Sequence, residues 1–179
     1  VLEWIRGSVV DCYADAEQLT LRARLSLFLQ ICAGIAHAHE RGVIHQDIKP
    51  ANILVPEYDG AAVPKIIDFG MALSTGGPEG SGFEAADDGE LVGTPTYMSP
   101  EQAFGTAGGV DARTDVFSLG AVLHELLTGL PPFEGEKCPH LDPEHVRRAI
   151  QSRRFLKPSA RVEQCEPTRM MTLAAHRQK

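Results

Sequence analysis

Three short runs set chemically useful side chains at close spacing: His45-Gln46-Asp47-Ile48-Lys49-Pro50-Ala51-Asn52, then Asp68-Phe69-Gly70, then Gly93-Thr94-Pro95-Thr96-Tyr97-Met98-Ser99-Pro100-Glu101. Two carboxylates, an ammonium and a neutral amide are the tools for moving a phosphoryl group, because negative charge crowds the phosphates and the attacking hydroxyl must be held in line. In such a reaction Asp47 orients the hydroxyl and accepts its proton. Lys49, two residues on, neutralises the transferring phosphoryl oxygens. Asn52 offers a neutral oxygen and Asp68 a charged one, hard donors of the kind Mg²⁺ prefers while it keeps waters and phosphate oxygens.

In this order, and followed by Asp115-Val116-Phe117-Ser118-Leu119-Gly120, the runs resemble the eukaryotic-type serine/threonine protein kinases, especially their bacterial branch. The resemblance covers residues 1 to 135. It implies an α+β fold: a kinase-like C-lobe, mainly α-helical, with a short β-hairpin carrying the metal-binding residues Asn52 and Asp68. It also implies ATP and Mg²⁺ as cofactors and a protein Ser or Thr hydroxyl as acceptor. Lys49 and Thr94 stand where the serine/threonine class carries them, which makes Thr94 a third catalytic residue, bridging Asp47 and Lys49. Leu2-Glu3-Trp4-Ile5-Arg6-Gly7 resembles the hinge, with the Glu3 carbonyl and the Ile5 amide on the adenine edge, Leu2 controlling access behind it and Leu54 as the apolar floor under the base. By the same resemblance His45 and Phe69 pack rather than carry protons, and Asp115 is the buried acid that holds the catalytic-loop backbone. Glu101 becomes half of a buried ion pair with an Arg of a later helix.

The elements that must position these residues can be read from periodicity and punctuation. Leu25, Phe28, Leu29, Cys32, Ile35 and Ala36 recur at helical spacing, with Thr20 as the upstream cap and Gly42 as the stop, and predict a long buried helix ending at His39. Ile53–Val55 and Val63–Ile67 read as strands of a hairpin around the turn dipeptide Asp59-Gly60. The stretch from Ser74 to Gly93 has six glycines, five acids and no base, a composition that cannot bury a core and predicts a surface loop. A second core helix spans Val116 to Leu127, started by Thr114 or Asp115 and ended by Gly129 and Pro131-Pro132. Pro143 to Ile150 is one further amphipathic candidate.

The chain has 179 residues, 43% of them apolar and 23% charged, the proportions of one soluble folded domain. Its net charge of −7 has the wrong sign for a protein that coats nucleic acid or anionic membrane. Seven bases and nineteen acids lie in residues 1–135, against ten and five in 136–179, so the chain divides into an acidic catalytic part and a divergent basic tail, an incomplete end of the lobe. Cys12, Cys32, Cys138 and Cys165 are scattered without C-x-x-C spacing, which argues against a disulfide framework or a zinc site and points to the cytoplasm. No apolar stretch approaches the roughly 20 residues of a membrane span. No nucleic-acid partner and no membrane segment are expected.

Two departures from the family pattern carry expectations. Gln46 stands where regulated kinases carry an Arg that binds a phosphate on the activation loop, and a neutral amide cannot replace that charge. Activity is therefore expected not to require phosphorylation of Ser74, Thr75 or Ser81. The 179 residues also hold no G-x-G-x-x-G-x-V loop and no strand Lys in a V-A-I-K context, so the chain reads as cut at the hinge, with the N-terminal lobe absent. A truncated or inactive remnant acting as a binding module is the alternative reading. A small-molecule phosphotransferase shares H-x-D-x-x-x-x-N, but Lys49 and the G-T-x-x-Y-M-S-P-E run argue against it.

Overall fold

Helix formation begins where the first residues stop being extended. A computed structural model of the chain describes residues 4–69, 73–74, 95–104, 110–132 and 157–163. Strand β1 (Ser8–Val9) leads directly into α1 (Val10–Ala16), and α2 (Leu21–His39) follows. Thr20 caps α2 by accepting a hydrogen bond from the Ala23 amide at 3.2 Å. The cap is the residue expected from the sequence, and the helix starts one turn before Leu25 because nothing between Thr20 and Leu25 interrupts it.

The buried face of α2 matches the expected one in part, with Ile35 buried and Phe28 and Cys32 packed against the core. Leu27, Ile31 and Ile35 enter the core, while Leu25 and Leu29 are exposed. The helix is apolar on more than one face, so periodicity alone does not choose which face turns inward. Arg24 helps fix the rotation: its buried guanidinium donates to the carbonyls of Ala14 (2.9 Å) and Leu126 (3.0 Å) and to Asp15 Oδ1 (2.7 Å). One side chain thereby ties α1 and α2 to the end of α4.

Strand β2 (Val43–Ile44) pairs antiparallel with β7 (Leu73–Ser74), so Ser74 belongs to a strand end rather than to the loop expected from there. The hairpin forms as expected around its turn. Strand β3 (Ile53–Val55) pairs with β6 (Lys65–Ile66), and β4 (Glu57–Tyr58) with β5 (Ala61–Ala62) beyond them. Asp59 and Gly60 both have positive φ, 50° and 77°, as a two-residue turn of this hand requires. Strand β1 adds to the other edge of β3, with Val9 opposite Leu54.

Helix α3 (Pro100–Phe104) is short, and α4 (Ala112–Thr128) is the second core helix. The cap of α4 is Asp111, which accepts from the Arg113 amide at 2.8 Å, not Thr114 or Asp115. Those two residues are fully buried inside the first turn, where they serve tertiary contacts instead. Gly129 ends the helix in the left-handed conformation, φ 69°. Helix α5 (Pro158–Glu163) closes the described chain. The core joins Val10 and Ala14 of α1, Leu27, Ile31 and Ile35 of α2, Ile48, Ile53 and Val55, and Leu119, Val122 and Leu126 of α4. The candidate site lies at the rim of this core, where Ile48 and Ile53 anchor the loop and the hairpin. Pro143–Ile150 and the body of the expected 74–93 loop fall outside the described residues.

Candidate active site

A buried carboxylate organises the loop between β2 and β3. Asp115 is fully buried at the start of α4 and accepts three bonds: from the His45 amide (2.9 Å), from the Gln46 amide (2.8 Å) and from His39 Nε2 (2.6 Å). A buried charge needs such partners. The result pins two successive peptides of the loop to the second core helix. Gln46 adopts φ 68°, a left-handed conformation that costs a residue with a Cβ about 1–3 kcal/mol and persists only where the surroundings hold it. That turn delivers the next residue, Asp47, to the rim.

Asp47, Lys49 and Asn52 converge there. Lys49 Nζ donates to Asp47 Oδ2 at 2.7 Å, and Asn52 Nδ2 donates to the same oxygen at 3.0 Å and to the Asp47 carbonyl at 2.9 Å. The Asp47 and Lys49 side chains keep 18% and 21% of their surface exposed, enough to meet a substrate yet sheltered from full screening. Oδ1 of Asp47 takes part in none of these bonds. Asn52 is buried, held by a tight turn over Pro50–Asn52, and its carbonyl accepts from the Ile67 amide at 2.9 Å. That cross-hairpin bond puts Asp68, one residue on, beside Asn52. Asp68 is exposed and also left-handed, φ 62°.

These two oxygen donors at the open end of the hairpin suit a hard divalent cation of the Mg²⁺ type, which takes one or two protein ligands and fills its remaining positions with water and phosphate. Among the described residues no group of three His, Cys, Asp or Glu side chains forms a closed metal cage.

His45 behaves as packing. It is fully buried, its ring centroid lies 4.5 Å from that of Phe69, and its Nδ1 accepts from the Asp47 amide at 3.2 Å. Nε2 therefore carries the hydrogen and donates to the Ile67 carbonyl at 3.0 Å. Both nitrogens are committed to structure. Gln46 is also buried, and its Nε2 has no hydrogen-bond partner among the described residues.

Of the segment expected to be the hinge, Leu2 and Glu3 lie outside the described residues, as does Thr94. Ile5 is half-buried on the segment entering β1, and Trp4 is largely exposed. Gly7 is required there, since a Cβ would meet Pro56 N at 2.7 Å and the Val55 carbonyl carbon at 2.8 Å. The crossing, together with the pairing of Val9 with Leu54, brings the hinge segment against the strand of Leu54.

On the other side of the loop, Glu101 accepts from the Thr114 hydroxyl at 2.8 Å. No Arg pairs with it among the described residues. Tyr97 donates its hydroxyl to Glu125, and burial, with that carboxylate beside it, pushes the phenol far above its usual range. Ser118 Oγ donates to the Tyr97 carbonyl at 2.8 Å. Two contributors carry no signal in the sequence: His39, bonded to Asp115, and Gln102, whose Nε2 donates to the Gln46 carbonyl. A His in the last turn of a helix reads as a favourable end charge, and only the fold brings it to Asp115.

The family model described as the protein kinase domain matches residues 1–172. The chain is 36% identical over 164 residues to serine/threonine-protein kinase PknB of Mycobacterium tuberculosis (strain H37Rv), covering 91% of this chain and 24% of that protein. It is 35% identical over 150 residues to the probable serine/threonine-protein kinase CE0033 of Corynebacterium efficiens, covering 84% of this chain and 21% of that protein. To the probable serine/threonine-protein kinase SCO3848 of Streptomyces coelicolor it is 34% identical over 164 residues, covering 91% and 23%. The chain thus spans about a quarter of the length of the curated relatives it matches.

Proposed function

The chain belongs to the protein kinase domain family, and from that premise we propose that it is the C-terminal lobe, with hinge, of a serine/threonine protein kinase. The enzyme transfers the γ-phosphoryl of ATP to a Ser or Thr hydroxyl of a protein. The observation that carries this reading is the cluster of Asp47, Lys49 and Asn52 on a loop suspended from buried Asp115.

Asp47 Oδ2 is occupied by Lys49 and Asn52, so Oδ1 is the oxygen that orients the acceptor hydroxyl and takes its proton. Lys49 moves its charge from Asp47 toward the transferring oxygens once nucleotide arrives. Thr94 bridges the two in this reading. Asn52, through Oδ1, and Asp68 would hold Mg²⁺, which neutralises charge on the phosphate oxygens. Glu3, Ile5 and Leu2 would line the adenine edge, with Leu54 beneath the base. Residues 1–135 form the lobe and 136–179 its basic continuation, in the cytoplasm where ATP is supplied. Among the described residues no helix is long and apolar enough to cross a membrane.

The test is transfer of ³²P from ATP to a Ser/Thr peptide by the natural-length polypeptide carrying this chain. Transfer is expected to need Mg²⁺ and to fall by at least about a thousandfold in Asp47→Asn, since both acid–base help and orientation are lost. Retention of near wild-type transfer by that variant would exclude the assignment.

A further inference from the structure

Gln102 uses both ends of its side-chain amide. Ser99 Oγ accepts from the Gln102 backbone N–H at 3.3 Å, and Gln102 Oε1 accepts in return from the Ser99 backbone N–H at 3.0 Å. This reciprocal pair is a capping box at the start of α3. A Glu at this position would serve the box equally well. What only the amide can do is donate at its other end, and Gln102 Nε2 donates to the Gln46 carbonyl at 2.7 Å, across fifty-six residues of sequence.

That carbonyl belongs to the peptide joining Gln46 to Asp47. The same peptide's N–H is held by His45 Nδ1 at 3.2 Å, and the preceding N–H, of Gln46, by Asp115 Oδ1 at 2.8 Å. Gln46 sits in the left-handed region, so the plane of the 46–47 peptide is maintained by these bonds and not by backbone preference. The Gln102 bond is the shortest of the three and the only one reaching the carbonyl. If it is lost, the peptide is held only through its N–H, by His45 Nδ1, and its carbonyl end is free to tilt. Asp47 then swings away from the position it shares with Lys49 and Asn52.

We propose that Gln102 is a positioning residue for Asp47, acting through the Gln46 peptide, and that its amide nitrogen, rather than its helix-capping oxygen, is what the reaction requires. The kinetic part rests on the kinase reading above. Gln102→Glu separates the two roles: the carboxylate keeps the capping box with Ser99 but meets the Gln46 carbonyl without a donor. In the natural-length polypeptide this variant should melt within about 2 °C of wild type, since the cap is kept. Its kcat should be at least about tenfold lower, with the KM for ATP unchanged. Lowering the pH to about 5, near the ordinary Glu range, should protonate about a sixth of the introduced carboxyl, restore a donor in that fraction and narrow the deficit relative to wild type at the same pH. Gln102→Leu, which loses both roles, should show the kcat deficit without the recovery at low pH.

Wild-type kcat in Gln102→Glu at neutral pH, or a deficit identical at pH 5 and pH 8, would overturn the proposal. Absence of transfer by wild type would instead fail the kinase reading. In that event amide exchange at Asp47 decides: faster exchange in Gln102→Glu supports the positioning role, and unchanged exchange overturns it.

Discussion

Asp47 and Asp115 belong to one assembly, yet burial gives them opposite sensitivities. The Asp115 side chain is fully enclosed and satisfies three donors, whereas Asp47 stands at the rim with a fifth of its surface open. Asp115→Ala leaves the His45 and Gln46 amides and His39 without their acceptor. A buried network broken on one side costs about 3 to 5 kcal/mol, which urea unfolding would read as a lower midpoint at unchanged slope. The same change should also lower transfer, because the loop it releases carries Asp47. Gln46 makes a second prediction at this scale. It is buried, neutral and held through its backbone by Asp115 and Gln102, so the loop is organised without a phosphate. Alanine at Ser74, Thr75 and Ser81 together should leave at least about half of the transfer rate, as expected where no charge-assisted phosphate contact is needed. Loss of transfer with the fold intact would show that a phosphate is required after all.

Between elements, the link of interest is Tyr97 to Glu125, which pins the turn at Pro95–Tyr97 to α4. Burial and the neighbouring carboxylate both resist ionisation of the phenol. Above about pH 10 the unfolded chain therefore releases a proton that the folded chain retains, and stability falls as pH rises, by up to about 1.4 kcal/mol per pH unit. Below that pH the contribution is fully present. Denaturant unfolding between pH 8 and 11 should show this decline in wild type and a shallower one in Tyr97→Phe; equal slopes would mean that Tyr97 titrates normally. The elements themselves were legible to different depths. Thr20, Gly129 and Asp59-Gly60 announce their roles because caps and turns are local chemistry. The inward face of α2, in part, and the cap of α4 were misread for one reason. Arg24 and Thr114 look like surface or cap residues by type, and only the partners that the fold brings to them make their burial favourable, whereas Asp115, expected by resemblance to be buried beneath the loop, is buried there. Strand β1 and helix α1 were missed because two residues of strand and seven of helix carry too little periodicity to register. The loop cluster, by contrast, is legible by type and spacing, since Asp47, Lys49 and Asn52 stand close in sequence and meet in the fold, whereas a contact such as that of His39 with Asp115 is defined only by the fold.

For the molecule as a whole, the question is how much nucleotide affinity the 179 residues supply. Within them lie the hairpin with Asn52 and Asp68, the Asp47–Lys49 pair and the proposed hinge segment, tied to Leu54 through β1, but no G-x-G-x-x-G-x-V loop and no strand Lys in a V-A-I-K context. In this family those parts close over the phosphates, so on the proposed reading the groups present here would meet a nucleotide from one side. A ligand at a concentration equal to its dissociation constant stabilises by RT ln 2, about 0.4 kcal/mol, which for a chain of this size moves the melting temperature by less than about 2 °C. With one side of the cleft acting alone, the dissociation constant for ATP–Mg²⁺ should lie at or above about 1 mM, and the thermal shift of the 179-residue chain at 1 mM should stay within that bound. The natural-length polypeptide, measured in parallel, should shift by more if it supplies the missing phosphate contacts. A shift above about 5 °C in the 179-residue chain would require a dissociation constant tens of times lower than this. It would mean that the loop suspended from Asp115 and the hinge bind nucleotide without help from an opposing lobe, and robust Asp47-dependent transfer by the chain alone would extend that conclusion to catalysis.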